Sequence, residues 1–406
     1  MHFKNFCRAA VLLVLVGMVA GFSAKRKASS AIPDRREFPV NPAISPCDNF
    51  FDHACTEAIA GFELREDRSK HIFSFSDSHE RVLEAKKKFL QDLPNRKNLS
   101  ARAQALSNIF QACMNDKASA AEEKVLVAKT IAEVDKIKTR TEFQKFLSRK
   151  MDDSEFSFVD WGSTSNLDDS DWEDVYFLAD LQTLPEKTYY DKPEVVADLQ
   201  DLAQTTFAEA GVDNAAERAK QVVEFEKEFS KTYPAPAEMR ELFNIKTGIT
   251  REKLVKNFPA FDLAAFVGKL PKRTHIRNIT PGNFEWLNQA LDKMPLETLK
   301  SVYLFRALPG FMDDAYPKHF QKAFDFNKKH LGGPNVRPVR QERCTMYVMD
   351  KFTKEIDAEL LPQLFPDFPE PKLVGLVEKV RSSIIAGIQS NDWLSEKSKK
   401  AAVNKI

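Results

Sequence analysis

Glycine is scarce, with 13 in 406 residues. A chain so poor in the residue that left-handed turns and close backbone approaches need does not suit a many-turned all-β fold or a dinucleotide-binding fold. Charge bias is missing too. Lys and Arg number 60 against 59 Asp and Glu, a formal net charge of +1. That balance exerts no pull toward nucleic acid or an anionic membrane. There is no G-x-S-x-G elbow, no P-loop, no G-x-G-x-x-G and no C-x-x-C pair. These absences argue against an elbow-type serine hydrolase, a phosphate-cradling loop, a zinc finger and a thioredoxin-like redox site. A zinc-hydrolase helix needs histidines four apart with a glutamate beside the first. Only His79-Glu80 opens that pattern, and the second histidine position is Leu83. His71 and His79 lie eight apart with no third ligand in sight. The longest apolar run, Ala9 to Phe22, is about 14 residues, short of the roughly 20 that span a bilayer.

That run follows Lys4 and Arg8 and leads into Gly21, Ser23 and Ala24, which reads as a secretory leader over residues 1–24. The basic Lys25-Arg26-Lys27 leaves a signal anchor as the alternative, and membrane attachment is expected only if the segment stays uncleaved. Residues 25–45, rich in Pro, Ser and charge, read as a linker. The folded region is expected over 46–406. Export makes disulfides permissible. Besides Cys7 there are Cys47, Cys55, Cys113 and Cys344. Four cysteines allow three connectivities, and spacing does not choose among them or exclude free thiols.

Phenylalanine is abundant, at 32 residues. Helical periodicity dominates, so the fold class is mainly α with minor short strands. Asp77-Ser78-His79-Glu80 reads as a capping box, with Asp77 as N-cap, before a helix bearing Val82, Leu83, Phe89, Leu90 and Leu93 and stopped by Pro94. Ala103, Leu106, Phe110 and Cys113 share one helix face. Further stripes cover Ala120 to Ile137, Val195 to Ala210 and Ala215 to Phe229. The clearest stripe is Leu373, Leu376, Val377, Val380, Ile384 and Ile388, expected to be core. Asp174 to Leu178 has no helical stripe and reads as a strand, and Tyr189-Tyr190 falls in a loop after Leu184-Pro185. Asp392 or Ser395 caps a last helix through Ile406, which no Gly, Asn-Gly or Pro terminates. The runs Lys86-Lys87-Lys88 and Lys399-Lys400 read as solvated helix faces. The sequons at Asn98 and Asn278, if glycosylated, belong on the surface.

Seven segments, in order, resemble neprilysin-type peptidases. Pro46-Cys47-Asp48 through Phe50, Phe51 and Ala54-Cys55 is similar to the family opening P-C-D-x-F-Y-x-Y-A-C-G, and Glu66-Asp67-Arg68-Ser69 continues it. Ala112-Cys113-Met114-Asn115 resembles S-C-M-N. Leu184-Pro185 with Tyr189-Tyr190 resembles L-P-x-x-x-Y-Y. Arg240, Phe243-Asn244 and Thr247 resemble R-x-x-x-Y-N-x-x-T. Arg343-Cys344 with Tyr347-Val348 resembles R-C-x-x-Y-V. Trp393, Lys399, Ala402 and Lys405 resemble W-M-D-x-x-T-K-x-x-A-x-x-K. Thr56 departs from the glycine that closes the family's first motif, and Lys70 stands where some members carry a substrate-carboxylate arginine. Lysine offers no bidentate fork there, so Lys70 is a weak substrate-carboxylate candidate.

The resemblance implies a large helical lobe of an exported zinc endopeptidase that acts on peptides. The thermolysin-like catalytic lobe, with H-E-x-x-H and E-x-x-x-D, is absent from this chain. Zinc would belong to the complete enzyme, and no cofactor, metal ligand or catalytic residue to this half. The resemblance further implies a Cys113–Cys344 bridge. It leaves Cys47 and Cys55 as orphans whose family partners lie in the other half, with three outcomes open: pairing with each other, staying free, or bonding to another chain. The expected partners are therefore that catalytic domain, in the same or a separate chain, and peptides, but not nucleic acid. The expected location is extracytoplasmic, secreted or periplasmic. A truncated, interrupted or split peptidase, inactive alone, is the leading expectation. The alternative is a stand-alone exported helical binding module, a pseudoenzyme.

Overall fold

The computed structural model describes residues 37–153, 155–169 and 171–406. The expected leader and the first part of the linker lie outside the described residues. The described chain forms two compact units, one of residues up to Phe62 with Ile72–Gln111 and Val339–Ile406, the other of Glu63–His71 with Ala112–Pro338.

The first unit opens with α1 (Phe50–Ala60), capped by the Asn49 side chain, which accepts from the Asp52 N–H. The end of the expected linker is tied to this helix. The Asn41 N–H donates to the His53 carbonyl at 2.7 Å, and the His53 ring lies within hydrogen-bond distance of the Asn41 and Ile44 carbonyls. α2 (Phe75–Asp92) begins earlier than the sequence reading placed it. Ser74 is the N-cap, and its N–H donates to the Asp77 carboxylate at 2.9 Å. Asp77 thus serves as the third helical residue and not as the cap. Two overlapping cap patterns lie one turn apart, and the upstream one holds. Leu83, Phe89 and Leu90 are buried as their spacing requires, whereas Val82 faces outward.

Against α2 pack α14 (Arg340–Lys351) and α15 (Thr353–Leu364), numbered in chain order with the helices of the second unit. Lys86 corrects its reading as part of a solvated face. It is 7% exposed and ion-paired to Asp357 at 2.6 Å. A buried ammonium needs such a partner. α3 (Ala101–Met114) is capped by the Ser100 hydroxyl, which accepts from the Ala103 N–H and donates to Glu359 at 2.7 Å.

α16 (Glu370–Ser390) and α17 (Glu396–Lys405) finish this unit, and Ser395 caps α17 as read. The clearest stripe in the sequence is here not core. α16 buries none of its residues, and Leu373, Leu376, Val377, Val380 and Ile384 are each about half exposed. The 3.6-residue pattern makes an apolar face, but the described residues supply no surface to cover it.

The second unit runs α4 (Asp116–Asp135), α5 (Arg140–Asp152), β1 (Asp160–Ser165), β2 (Glu173–Leu178), α6 (Pro193–Glu209), α7 (Ala215–Ser230) and α8 (Pro236–Leu242). It continues with β3 (Gly248–Ile249), α9 (Arg251–Asn257), α10 (Ala264–Lys269), β4 (Ile276–Asn278), α11 (Pro281–Lys293), α12 (Leu296–Ala307) and α13 (Pro317–His330). The expected strand at 174–178 is β2. It lies in a small sheet of order β1-β2-β4-β3, parallel between β2 and β4 and antiparallel elsewhere. β1, β3 and β4 are short or polar and carry no legible alternation. The Tyr189-Tyr190 loop is a 3-10 turn, Lys187–Asp191.

The phenylalanines explain the unit's cohesion. Phe143, Phe158, Phe177, Phe207, Phe225, Phe229 and Phe284 are essentially fully buried, each stabilising by about 1.5–3 kcal/mol. Scarce glycine leaves short helices without left-handed caps, and arginines from elsewhere take over their terminal carbonyls. Arg140 donates to the Leu291 and Met294 carbonyls after α11, Arg251 to Val267 and Leu270 at the end of α10, and Arg277 to Leu242, Phe243 and Ile245 after α8.

One surface expectation fails. Asn98 is exposed, but Asn278 is 4% and Thr280 1% exposed, because this sequon lies on β4 and the turn into α11. A glycan does not fit there.

Candidate functional site

Cys113 and Cys344 are both disulfide-bonded, while Cys47 and Cys55 carry free thiols, the first exposed and the second half-buried. Lys70 and His79 are exposed. Among the described residues no group of three His, Cys, Asp or Glu side chains is placed to hold a metal ion. The residues present do not fit a zinc site, and no catalytic step is derived for one.

The most developed polar cluster lies inside the second unit and was not read from the sequence. Glu226, on the buried face of α7, is 0% exposed. Its carboxylate accepts from the Thr183 N–H at 2.8 Å, the Thr183 hydroxyl at 2.8 Å and the Tyr190 hydroxyl at 2.7 Å. Burial pushes the Glu226 carboxyl up, against the pull of the nearby Arg306 guanidinium and these donors. The Tyr190 hydroxyl is raised chiefly by burial and further by that carboxylate. Its oxygen also accepts from the Leu184 N–H at 3.3 Å. The Leu-Pro…Tyr-Tyr motif is therefore a turn tied to a buried acid. The available signal was a glutamate inside the stripe of Val222, Val223 and Phe229. With its donors supplied from within, this cluster holds the turn and offers no free nucleophile or base.

The Arg240–Thr247 motif is likewise a joint. The Asn244 amide donates to the Arg240 carbonyl, the Phe243 ring meets Tyr176 edge-on at 5.2 Å, and the Thr247 carbonyl accepts from the Asn278 N–H. A cavity of about 500 Å³ opens beside β1, lined by Glu155, Phe156, Asp160, Trp161, Asp180 and Arg306 among others. A smaller one, about 360 Å³, shares Asp180 and adds Pro185, Tyr233, Pro236 and Met239.

The architecture defines a predominantly helical lobe without a metal centre of its own among the described residues. Its relatives identify the class. The family model described as peptidase family M13, in its N-terminal region, matches residues 46–406. The chain belongs to that family. It is 18% identical over 249 residues to a neutral endopeptidase of Lactobacillus helveticus, covering 60% of this chain and 38% of that protein. It is 23% identical over 121 residues to membrane metallo-endopeptidase-like 1 of Mus musculus, covering 30% of this chain and 16% of that one. Among solved structures it is similar to an inhibitor complex of a Mycobacterium tuberculosis zinc metalloprotease, with a TM-score of 0.76 at 16% identity over 92% of this chain and 58% of the other. A PepO from Lactobacillus rhamnosis gives 0.69 at 12% identity, over 86% and 56%. The chain thus spans well under two thirds of the relatives it matches. The structural likenesses establish the fold, with the helical lobe as expected.

Proposed function

We propose that this chain is the helical, substrate-enclosing part of an exported zinc metalloendopeptidase acting on peptides, and that it cleaves no peptide bond by itself. The observation that carries the reading is α16. A 21-residue amphipathic helix with no buried residue stands in a chain that covers only 58% of its zinc metalloprotease neighbour. An apolar face of that extent favours a covering partner over open water, and a catalytic region of the family's kind, in the same or a separate chain, is the partner proposed. Cys113 and Cys344 are taken to bond to each other. The free thiols of Cys47 and Cys55 are taken to await cysteines of the catalytic half. The disulfide supports an oxidising, extracytoplasmic location, and no helix among the described residues is long and apolar enough to cross a membrane. Lys70, exposed, is the proposed weak contact for a substrate carboxylate.

The test takes two measurements. The purified chain is assayed for bound zinc and for hydrolysis of an internally quenched peptide, with no zinc and no turnover expected. Chelator-sensitive hydrolysis would overturn the reading. Translation of the DNA downstream of Ile406 is expected to reveal H-E-x-x-H followed by E-x-x-x-D. If that region lacks them, the stand-alone binding module replaces the half-enzyme.

A further inference from the structure

We infer that the outer edge of β1 is a docking strand for an extended basic peptide, which joins the sheet beside it. β1 is an edge of the β1-β2-β4-β3 sheet. Beyond Thr164, the Asn166 N–H donates to the Trp172 carbonyl, and the Trp161 N–H is taken by the Asp160 carboxylate at 2.9 Å and not by β2. In an antiparallel pair, residues alternate between facing the partner strand and facing away. Asp160, Gly162 and Thr164 therefore bond to β2, and Trp161, Ser163 and Ser165 turn their main-chain groups outward. These three are also the residues whose side chains are exposed beyond Asp160.

Proteins usually blunt such an edge with lysine, proline or a bulge. From Trp161 to Ser165 this strand has no charge and no proline, and its register with β2 is unbroken. What it has instead is a recognition cavity at its first residues. The roughly 500 Å³ space there is lined by the carboxylates of Glu155, Asp160 and Asp180, by the Arg306 guanidinium and by the rings of Phe156 and Trp161. Glu155 is ion-paired to Lys150, which it shares with Glu133, so four carboxylates stand against two cations in and beside the cavity. Arg306 is turned to the Gln182 carbonyl at 3.1 Å. Carboxylates beside aromatic rings suit a lysine or arginine side chain. Main-chain bonds would supply affinity and the cavity the choice of residue, the division of labour of strand addition. The occupant is a peptide and not a second copy of the chain, because β1 itself, Asp-Trp-Gly-Ser-Thr-Ser, brings no cation to the cavity.

This inference goes beyond the function proposed above. It requires neither zinc nor the catalytic half, and its test reads binding alone. The whole chain is titrated against a fluorescein-labelled peptide of alternating valine and lysine, followed by anisotropy. Saturable binding is expected. It should weaken at least roughly tenfold when alternate peptide amides on the docking side are N-methylated, since each lost main-chain bond removes part of the affinity. Replacing the peptide lysines by glutamate is expected to weaken it similarly. Ser163→Pro, which deletes an outward N–H, and Ser163→Lys, which places a guard charge on an intact backbone, should both reduce binding while circular dichroism stays unchanged. If Ser163→Pro unfolds the chain, Ser163→Lys alone decides. Equal affinity for the methylated peptide overturns the proposal. So does absence of saturation, or sedimentation showing a dimer that Ser163→Lys dissolves.

Discussion

Removing the Tyr190 hydroxyl is the sharpest probe of the buried cluster. Tyr190→Phe takes one of three donors from a fully buried carboxylate, a bond of 2.7 Å, and strands the Leu184 N–H that the same oxygen accepts. A hydrogen bond to a charged group contributes about 1.5–3 kcal/mol, and an unpaired buried N–H costs about 1 more. The expected loss is therefore about 2.5–4 kcal/mol. Glu226→Ala leaves the Thr183 N–H and both hydroxyls without their acceptor and should cost about 3–5 kcal/mol. Glu226→Gln keeps an acceptor and the shape and relieves the buried charge, so it should cost least, within about 1 kcal/mol. The assay is urea unfolding followed by tryptophan fluorescence. Trp286 meets the Phe225 and Phe229 rings of the same helix edge-on at 5.2 and 5.7 Å and so reports on this region.

The sign of the pH dependence follows from the raised Glu226 carboxyl. The folded state holds the proton more tightly than the unfolded one, so this contribution is complete below the ordinary carboxylate pKa and is lost as pH rises through the elevated value. Glu226→Gln should flatten that decline. A Tyr190→Phe midpoint unchanged from wild type, or a Glu226→Gln variant weaker than Glu226→Ala, would refute the account.

Three further outcomes are expected. Burial lowers the pKa of His319, which is 4% exposed with Nδ1 3.0 Å from the Thr206 hydroxyl. Its contribution to stability should be complete above about pH 6.5 and lost as pH falls through that value toward the depressed one, a slope that His319→Gln removes in urea titrations at a series of pH values. Gly162→Ala places a methyl group 2.6 Å from the Tyr176 hydroxyl oxygen and 2.7 Å from the ring carbon that bears it, so it should cost about 1–3 kcal/mol by thermal unfolding and be partly rescued by Tyr176→Val. Val377→Glu with Val380→Glu on the exposed face of α16 should leave unfolding of the isolated chain within about 0.5 kcal/mol and reduce its binding of an apolar dye.

Much of the fold was legible because helices and their starts are local. Ser395 caps through a contact three residues away, and Leu83, Phe89 and Leu90 lie on the apolar face that their spacing marks. The same locality misplaced the start of α2, where two caps compete within one turn. The Glu226 cluster was not legible, since its donors lie 36 and 43 residues away. Nor was β1, a polar edge strand paired with β2 on one side only.

By itself the sequence determined the helical class, the family through its ordered motifs and the strand at 174–178. Only the tertiary structure decided which side chains are inside. It turned Lys86 toward Asp357, enclosed Glu226 and Asn278, and among the described residues left the strongest apolar stripe, on α16, uncovered. The reason is physical. Periodicity depends on neighbours three and four residues away, so it shows which face of a helix is apolar, whereas burial depends on what surface the rest of the molecule brings against that face.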